Sequence, residues 1–374
     1  MDAEREQVRS GLDDVVVAAT ELSLVDGDRG RLVYRGHDAI ELAETRSFEE
    51  VWHLLGIGHL PSAGELPDFS RRLRAAGALS RAERAAVRPS ARGEQLAAVR
   101  TALSELASVR GLRPWLERPL DELEEEALSL AGAMPSLVAL VDAELLHRRL
   151  RPGAFDGPSV AKRYLAGVTG RDARDELVRA FDRYLVLAAD HGMNASTFVA
   201  RSVASTGADV GACLVAALAA LSGPLHGGAP APVLDMLDRI GRPARAKDWI
   251  ARRVEEGHRI MGFGHRVYRT DDPRALSLRR AALNAGFGRA EFAAAVEQAA
   301  LEVLAELKPG RPLRTNVEFW SAVTFEACGI PRPLFTATFA TSRIAGWTAH
   351  LVEQARHNRL VRPKAAYVGP PAAA

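Results

Sequence analysis

Three histidines stand in local contexts that packing or surface histidines rarely have. His191 lies in the segment ADHGMNAST, His226 in GPLHGGA and His265 in MGFGHRVY. Glycines next to the second and third of these histidines give the backbone unusual freedom and let a ligand approach the main chain closely. A single histidine is most often a packing residue, but two glycine-flanked ones in one chain indicate a ligand site.

The spacing of these histidines argues against the commonest uses of histidine. They are 35 and 39 residues apart and none has a second ligand at helical spacing, so the sequence predicts no metal site. The GxSxG turn of a serine hydrolase is absent, as are the Walker phosphate loop and the GxGxxG fingerprint. Phosphate binding by the glycine loop around Gly262 and Gly264 stays open as an alternative.

Length and composition indicate a two-domain protein with a sizeable core. The chain has 374 residues, of which 47% are hydrophobic and 26% are charged. Its net charge is only +2, which argues against a nucleic-acid partner. All but four of the 49 basic residues are arginines, so a role for any one arginine needs a local motif.

The sequence predicts neither a membrane span nor a signal peptide. The longest apolar run, residues 212–221, is about half the length of a span, and the N-terminal residues lack an apolar core. Cys213 and Cys328 lie in apolar or helical surroundings and are expected to be reduced core residues. We therefore expect a cytoplasmic protein with no membrane partner.

Helical periodicity dominates the sequence. Residues 94–110 and 175–189 carry apolar side chains at three- and four-residue spacing, and residues 210–221 are apolar nearly all round. Strand-forming sequence is confined to residues 15–17 and 32–34, which flank a turn-rich DGDRG and predict a small hairpin. The polar residues 149–175 are predicted to connect helices. Because strands and helices do not alternate, we predict an all-α protein.

Several longer segments carry a more specific pattern. GPLHGGA is followed by MGFGHRVYRTDDPRA, by NVEFWSA and by ATSRIAGWTAHLVEQ. Together with ADHGMNAST and the terminal RLVRPKAAYVG, these strings resemble the signature segments of the citrate synthase family. The resemblance runs from about residue 11 to residue 369, is weakest between residues 61 and 130, and is to the family's short bacterial members.

The resemblance implies the condensation of acetyl-CoA with oxaloacetate and water to citrate and CoA, the Si-type transferase reaction of the tricarboxylic acid cycle. This reaction removes a weakly acidic methyl proton from a thioester, which needs a positioned base and a donor for the developing enolate oxygen. By resemblance Glu318 is the base and His226 is the donor. His265 resembles the histidine that polarises the keto oxygen of oxaloacetate and protonates the new alkoxide.

Oxaloacetate carries two carboxylates, which are best bound by planar, two-pronged cations. Arg274 in DPRA, Arg343 in SRIAGW and Arg362 in LVRP match the family's arginine clamp, and His191 resembles a further oxaloacetate contact. The family's counterpart of Arg362 reaches into the neighbouring subunit's site, so the resemblance implies a homodimer. A surface ion pair is the alternative role for each of these arginines.

Candidate CoA contacts come from the glycine loop and from nearby basic residues. They are Met261, Gly262, Phe263, Gly264, Arg266 and Lys308. A structural role for Arg266 and a solvated turn for Lys308 are the alternatives. The other histidines are expected to be packing or surface residues, namely His37, His53, His59, His147, His258, His350 and His357.

One residue departs from the family's usual pattern. Most members carry aspartate in the NVDF segment, whereas this chain has Glu318. Glutamate keeps the carboxylate and a similar intrinsic pKa, but its extra methylene adds roughly an ångström of reach, which costs rate unless the backbone has retreated. We interpret Glu318 as a working base, and a non-catalytic sensor of CoA or oxaloacetate is the alternative.

The resemblance also implies an architecture. We expect a large, dimer-forming helical domain of residues 1–225 and 336–374 and a smaller, mobile helical domain of residues 226–335 with most of the catalytic residues. No cofactor is expected, because the CoA thioester is itself a substrate. A 2-methylcitrate synthase, which uses propionyl-CoA with the same catalytic set, is the closest alternative because one methylene discriminates only weakly. A helical interaction scaffold is the remaining alternative.

Overall fold

A computed structural model describes residues 9–12, 15–116, 118–227, 230–310 and 313–370. In this part of the chain three short strands are followed by seventeen α-helices, which confirms the predicted all-α fold with a small N-terminal sheet. The strands are β1 (Ser23–Asp26), β2 (Arg31–Tyr34) and β3 (His37–Asp38). The helices are α1 (Ala39–Thr45), α2 (Phe48–Ile57), α3 (Glu65–Gly77), α4 (Arg81–Val87), α5 (Gln95–Val109), α6 (Leu120–Gly132), α7 (Met134–Leu145), α8 (Val160–Thr169), α9 (Asp175–Ala188), α10 (Ala195–Ala204), α11 (Val210–Leu221), α12 (Pro230–Ile240), α13 (Ala246–Glu255), α14 (Pro273–Asn284), α15 (Ala290–Leu307), α16 (Val317–Ala327) and α17 (Phe335–Arg356).

The sheet is antiparallel with the order β1-β2-β3. Strand β1 pairs with β2 from Ser23↔Tyr34 to Asp26↔Arg31, so the predicted strand at residues 32–34 is confirmed. The predicted strand at residues 15–17 is wrong. Their side chains are 38–89% exposed and face no strand partner among the described residues, so β-branching alone did not make a strand there.

The helices predicted from periodicity are confirmed as α5, α9 and α11 to within a residue or two at each end. The prediction that residues 149–175 only connect helices is wrong for residues 160–169, which form α8. This helix begins at Ser159, whose side chain accepts from the main-chain N–H of Lys162, and it ends at Gly170 in the left-handed conformation. Its buried face includes Tyr164 and Leu165.

Helix α17 is the central element of the core. Eighteen of its 22 residues are buried, and it packs against α2, α6, α9, α10 and α11. A helix that is buried over most of its surface must bury some of its charged and titratable side chains as well. Arg343 and His350 are buried in this way, whereas Glu353 is half-buried and Arg356, at the C-terminal end, is exposed.

Helices α12 to α16 pack mainly on one another, through the pairs α13 with α15, α14 with α16 and α12 with α16. They meet the rest of the protein mainly through α1, α9 and α17. The predicted site residues between His226 and the start of α17 therefore lie on helices α12 to α16 or on the loops that join them.

One stretch of the described residues, Leu120–Leu145, is long and apolar enough to cross a membrane by length and composition. It contains α6 and α7, and 83% of its most apolar window is buried inside the protein. Buried core helices commonly pass this test, so we interpret the stretch as core.

Helix α17 approaches the residues before His191 closely at Gly346. A Cβ atom there would lie 2.4 Å from the carbonyl oxygen of Ala189 and 2.6 Å from Oδ1 of Asp190. Gly346→Ala is therefore expected to lower the free energy of unfolding by about 1–3 kcal/mol through overpacking, as measured by urea denaturation. Gly56 of α2 has nothing within 4 Å of an added Cβ, so Gly56→Ala is the control and should stabilise by about 0.5–1 kcal/mol. Equal effects of the two substitutions would contradict this explanation.

Candidate active site

His191 lies in the loop between α9 and α10 and is 8% exposed. The loop is fixed by Asp190, whose Oδ2 accepts from the hydroxyl of Ser23 and from the main-chain N–H of Gly192. Nε2 of His191 lies 3.2 Å from the Tyr268 hydroxyl, and its ring lies edge-on to that of His265, with centroids 5.4 Å apart. Burial, and then the positive charge of Arg274, hold the pKa of His191 well below its usual value. The ring is therefore neutral at physiological pH.

His226 lies in the turn between α11 and α12 and contacts the first turn of α10. The main-chain N–H of Ser196 donates to its Nε2 at 3.3 Å, and the Ser196 hydroxyl lies 2.8 Å from the same nitrogen. That hydroxyl also accepts from Nε1 of Trp347 at 3.1 Å. Burial, and then Arg343, lower the pKa of His226 to about 4. Because Nε2 is the acceptor in the main-chain hydrogen bond, the neutral ring carries its proton on Nδ1 and can donate it to a ligand.

His265 lies in the loop before α14 and is fixed by the residues that follow it. Its Nδ1 accepts from the main-chain N–H groups of Val267 at 2.9 Å and Tyr268 at 3.1 Å. Burial, and then Arg274, lower the pKa of His265 to about 4. A neutral imidazole accepts at only one ring nitrogen, and the two main-chain bonds to Nδ1 are shorter than the 3.4 Å contact of Nε2 with NH2 of Arg274. We therefore assign the proton to Nε2, so the contact with Arg274 is one between two donors. This arrangement presents an N–H donor beside a cation.

Asp272 and Arg274 form a buried pair at the start of α14. Asp272 caps the helix by accepting from the main-chain N–H of Arg274 at 3.0 Å, and Pro273 occupies the first helical position. The carboxylate also accepts from Nε of Arg274 at 2.9 Å and from its NH2 at 2.8 Å. A further bond comes from α16, since the main-chain N–H of Val317 donates to Oδ2 of Asp272 at 3.0 Å. One carboxylate therefore holds the arginine and the start of α16 together.

The glycine loop runs antiparallel to the residues that precede α16. Phe263 pairs with Thr315, the N–H of Asn316 donates to the carbonyl of Gly262 at 2.9 Å, and Nδ2 of Asn316 donates to the carbonyl of Gly264 at 3.0 Å. Gly262 has φ +83°, and a Cβ there would lie 2.8 Å from that of Phe319. This position therefore requires glycine both for its backbone conformation and for space.

Glu318 lies in the first turn of α16, where Asn316 caps the helix by accepting from the main-chain N–H of Glu318 at 3.1 Å. Burial raises the pKa of Glu318 to about 7, although the nearby Arg274 acts in the opposite direction. A general base is most effective when its pKa is close to the working pH. Glu318 therefore has the protonation equilibrium of a base rather than that of a surface carboxylate.

Arg343 of α17 is 1% exposed. Its Nε donates to the carbonyl of Ala188 at 2.7 Å, and its guanidinium lies 4.8 Å from the ring centroid of Phe339. Within the described part of the chain no carboxylate lies within 4 Å of it. Burial lowers the pKa of Arg343, and Asp190 is the charge that most opposes this. A buried guanidinium without a contacting counter-ion is a ready receptor for an anion.

Together with the residues that they contact, the side chains described so far are called the cluster below: His191, His226, His265, Asp272, Arg274, Glu318 and Arg343. The other predicted site residues lie beside the cluster or have no described contact with it. Met261 and Phe263 are partly buried, and the Phe263 ring packs edge-on against that of Phe319 at 5.5 Å. Arg266 is exposed and donates to the carbonyl of Gly11 at 3.1 Å. Lys308 and Arg362 are exposed, after the ends of α15 and α17 respectively, and no contact among the described residues brings either one to the cluster.

Four residues of the cluster were not predicted from the sequence: Asp190, Ser196, Tyr268 and Asp272. All four lie inside the recognised strings. Asp272 had a local signal, because an aspartate before Pro-Arg predicts a helix cap. The contact of Ser196 with His226 joins residues 30 positions apart, and no local pattern predicts it.

A family model described as "Citrate synthase, C-terminal domain" matches residues 11–364. The chain belongs to the citrate synthase family. Its relatives include "Putative citrate synthase 2" of Mycobacterium tuberculosis, 42% identical over 96% of this chain and 92% of that protein. A 2-methylcitrate synthase of the same species is 35% identical over 98% of this chain and 92% of that protein.

Solved citrate synthase structures have the same fold. One is a ternary complex of the enzyme from the thermophilic archaeon Thermoplasma acidophilum with carboxymethyl coenzyme A and oxaloacetate, with a TM-score of 0.87 and 29% identity over 98% of this chain and 97% of that one. Relatives of the two named activities are similar to this chain over almost its whole length. The chain is thus a transferase-type member of the citrate synthase family, and the acyl group it uses is a separate question.

The buried pair at the start of α14 generates a stability prediction. Asp272→Asn removes the charge that neutralises Arg274, so the free energy of unfolding should fall by about 3–5 kcal/mol, as measured by urea denaturation. The neighbouring Asp271 is exposed and lies 3.9 Å from Arg314, so Asp271→Asn should change stability by at most about 0.5 kcal/mol. A small effect of Asp272→Asn would mean that another group neutralises Arg274.

Proposed function

We propose that the protein condenses acetyl-CoA with oxaloacetate and water to give citrate and CoA. The observation that carries the proposal is the combination in one cluster of two buried arginines, neutral imidazoles and a carboxylate whose pKa is raised to about 7. A citrate synthase with the same fold forms a ternary complex with oxaloacetate and carboxymethyl coenzyme A. The chemistry of the cluster fits both kinds of ligand.

Oxaloacetate is a dianion with a keto group, and each part has a suitable partner. Arg274 and Arg343 bind its two carboxylates. Arg274 is already paired with Asp272, whereas Arg343 has no contacting carboxylate among the described residues. The Nε2–H of His265 donates to the keto oxygen, and His191 contacts the same substrate. Hydrogen bonding by a neutral donor beside a buried cation makes the keto carbon more electrophilic.

The acetyl half of the reaction is assigned to Glu318 and His226. Glu318 takes a proton from the methyl group, and the Nδ1–H of His226 donates to the thioester oxygen as it becomes an enolate oxygen. The enolate carbon attacks the keto carbon of oxaloacetate on its si face, and His265 gives its proton to the alkoxide. Water then cleaves the citryl thioester to citrate and CoA.

The CoA moiety is proposed to contact the glycine loop, at Met261, Gly262, Phe263 and Gly264, and the basic residues Arg266 and Lys308. Residues 226–335 are proposed to form a smaller domain that closes on a larger one, residues 1–225 and 336–374, and shields the intermediate from water. Residues 1–8, 13–14, 117, 228–229, 311–312 and 371–374 of these ranges lie outside the described residues. We further propose a cytoplasmic homodimer that uses no cofactor.

A second candidate function is 2-methylcitrate synthesis from propionyl-CoA, which the similarity to a 2-methylcitrate synthase favours. One experiment tests both candidate functions. It measures the rate at which the free CoA thiol is released from acetyl-CoA and from propionyl-CoA, with and without oxaloacetate. The proposal expects oxaloacetate-dependent release that is faster with acetyl-CoA. Faster release from propionyl-CoA would favour the second candidate, and no release from either would contradict both.

Catalysis by Glu318 predicts a dependence of rate on pH. The active form is the carboxylate, so kcat/KM for the acyl-CoA should fall about tenfold per pH unit below the Glu318 pKa of about 7. The histidines His226 and His265 stay neutral until the pH approaches 4, so their protonation adds no further decline in kcat/KM near neutral pH.

Glu318→Gln should lower kcat by about 100- to 10,000-fold, since the amide cannot take the proton. Glu326 lies two turns further along α16 and pairs with Arg289 at the surface, so Glu326→Gln is the matched control and should keep both the rate and the pH profile. Retention of near-normal turnover by Glu318→Gln would exclude Glu318 as the base.

The proposed role of Arg362 in a neighbouring subunit is tested by complementation. Arg362→Ala and Glu318→Ala homodimers should each be nearly inactive. Each heterodimer has one site with an intact Glu318 from one chain and an intact Arg362 from the other. Because about half of randomly paired dimers are heterodimers, co-expression should restore activity to about a quarter of all sites. If Arg362 served its own chain's site, co-expression would restore nothing.

A further inference from the structure

A second group of ligand-type side chains lies outside the catalytic cluster, at the junction of α2 and α3. It consists of His53 in α2, His59 just beyond the end of α2, and Glu65 at the start of α3. One donor atom from each of these residues lies within 4.8 Å of those of the other two. Both histidines are among those predicted from the sequence to be packing or surface residues.

The chain between the two helices is held in a defined turn. Gly58 ends α2 in the left-handed conformation, with φ 113°. The main-chain N–H of Ser62 donates to Oε2 of Glu65 at 2.8 Å, and the main-chain N–H of Glu65 donates to the Ser62 hydroxyl at 3.4 Å. The hydrogen bond from the main chain of Ser62 therefore holds the Glu65 carboxylate in place.

His53 is held in the tautomer of a metal ligand. It is 4% exposed, and its ring packs edge-on against Phe69 with centroids 5.2 Å apart. Its Nδ1 lies 2.9 Å from the carbonyl oxygen of His59. Because a carbonyl only accepts, Nδ1 carries the proton and Nε2 carries the lone pair. Metal-bound histidines usually donate their other ring N–H in this way. Among the described residues, Nε2 of His53 has no hydrogen-bond partner.

Two of the distances match those expected around a tetrahedral ion. With metal–ligand bonds of about 2.0–2.1 Å, adjacent donor atoms are about 3.3 Å apart and the centroids of two bound imidazole rings are about 5.2 Å apart. Nε2 of His59 lies 3.1 Å from Oε1 of Glu65, and the rings of His53 and His59 have centroids 5.1 Å apart at an interplanar angle of 79°. Edge-on ring packing gives the same centroid distance without an ion, so the feature that points to an ion is the convergence of one donor atom from each of the three residues within 4.8 Å.

We propose that His53, His59 and Glu65 form a binding site for a Zn²⁺-type divalent cation. Two imidazoles and a carboxylate suit zinc, and they disfavour Ca²⁺ and Mg²⁺, which take oxygen ligands. The side chains of His59 and Glu65 are 57% and 45% exposed, so water can reach the fourth position. The bound ion joins the end of α2 to the start of α3, away from the catalytic cluster.

The test uses the full-length protein after treatment with a chelator, and titration with Zn²⁺ followed by calorimetry. The variants are His59→Ala and Glu65→Gln, both at exposed positions. His59→Ala keeps the main-chain carbonyl that accepts from His53. His258→Ala is the matched control, because His258 also lies beside a glutamate, Glu256, at 3.6 Å, but belongs to no three-residue cluster among the described residues.

The wild type and His258→Ala should bind one Zn²⁺ per chain with equal affinity, and binding should weaken at least tenfold in His59→Ala and Glu65→Gln. Titration with Co²⁺ should give the visible absorption of a tetrahedral site in the same two proteins that bind Zn²⁺ tightly. Circular dichroism without metal should be the same for all four proteins, which separates loss of the site from loss of the fold. Absence of binding to the wild type, or equal binding by His59→Ala, would overturn the proposal.

Discussion

The cost of burying two guanidinium groups governs the arrangement of the candidate active site. Arg274 and Arg343 are 3% and 1% exposed, and a charge at such a position is unfavourable unless other groups compensate it. Arg274 is compensated by Asp272, which contacts it through both oxygens. Arg343 contacts the carbonyl of Ala188 and the face of Phe339, neither of which carries a negative charge. The negative charge of Asp190 acts on Arg343 without contacting it. Arg343 is therefore left without a contacting anion, which a carboxylate of the proposed ligand would provide.

The same positive charges set the state of the other groups. They help burial to keep His191, His226 and His265 neutral, so that these rings serve as hydrogen-bond donors and not as further cations. For Glu318 the effects oppose each other, since burial favours the protonated form and Arg274 favours the carboxylate. The balance leaves the pKa of this carboxylate near neutrality, while the histidines of the cluster titrate far below it. The proposed base and the proposed donors are thus distinguished by their surroundings more than by their residue type.

Features that depend on interactions between residues close in sequence were predicted well, and features that depend on contacts between distant segments were not. Helices α5, α9 and α11 and the β2 strand follow from periodicity and turn residues, because local patterns determine which face is buried. Residues 15–17 were mistaken for a strand because the presence of a partner strand is not a local property. Helix α8 is not predicted because it is only ten residues long and lies in polar flanking sequence, although eight of its residues are buried. Within the site, the recognised strings identified the chemical groups, whereas the contact of Asp272 with Val317 and that of Ser196 with His226 arise only when distant segments pack together.

The backbone before Glu318 is pinned on two sides, by the glycine loop through Asn316 and by Asp272 through the N–H of Val317. Side-chain length is consequently almost the only freedom left at position 318. In evolutionary terms, we therefore expect an exchange between glutamate and aspartate there to be epistatic, and to be tolerated when the glycine loop or α14 shifts to compensate. A lineage that acquired glutamate at this position would therefore be expected to carry correlated changes among the residues that pin it, and a reversal made alone would meet a scaffold set for the longer side chain.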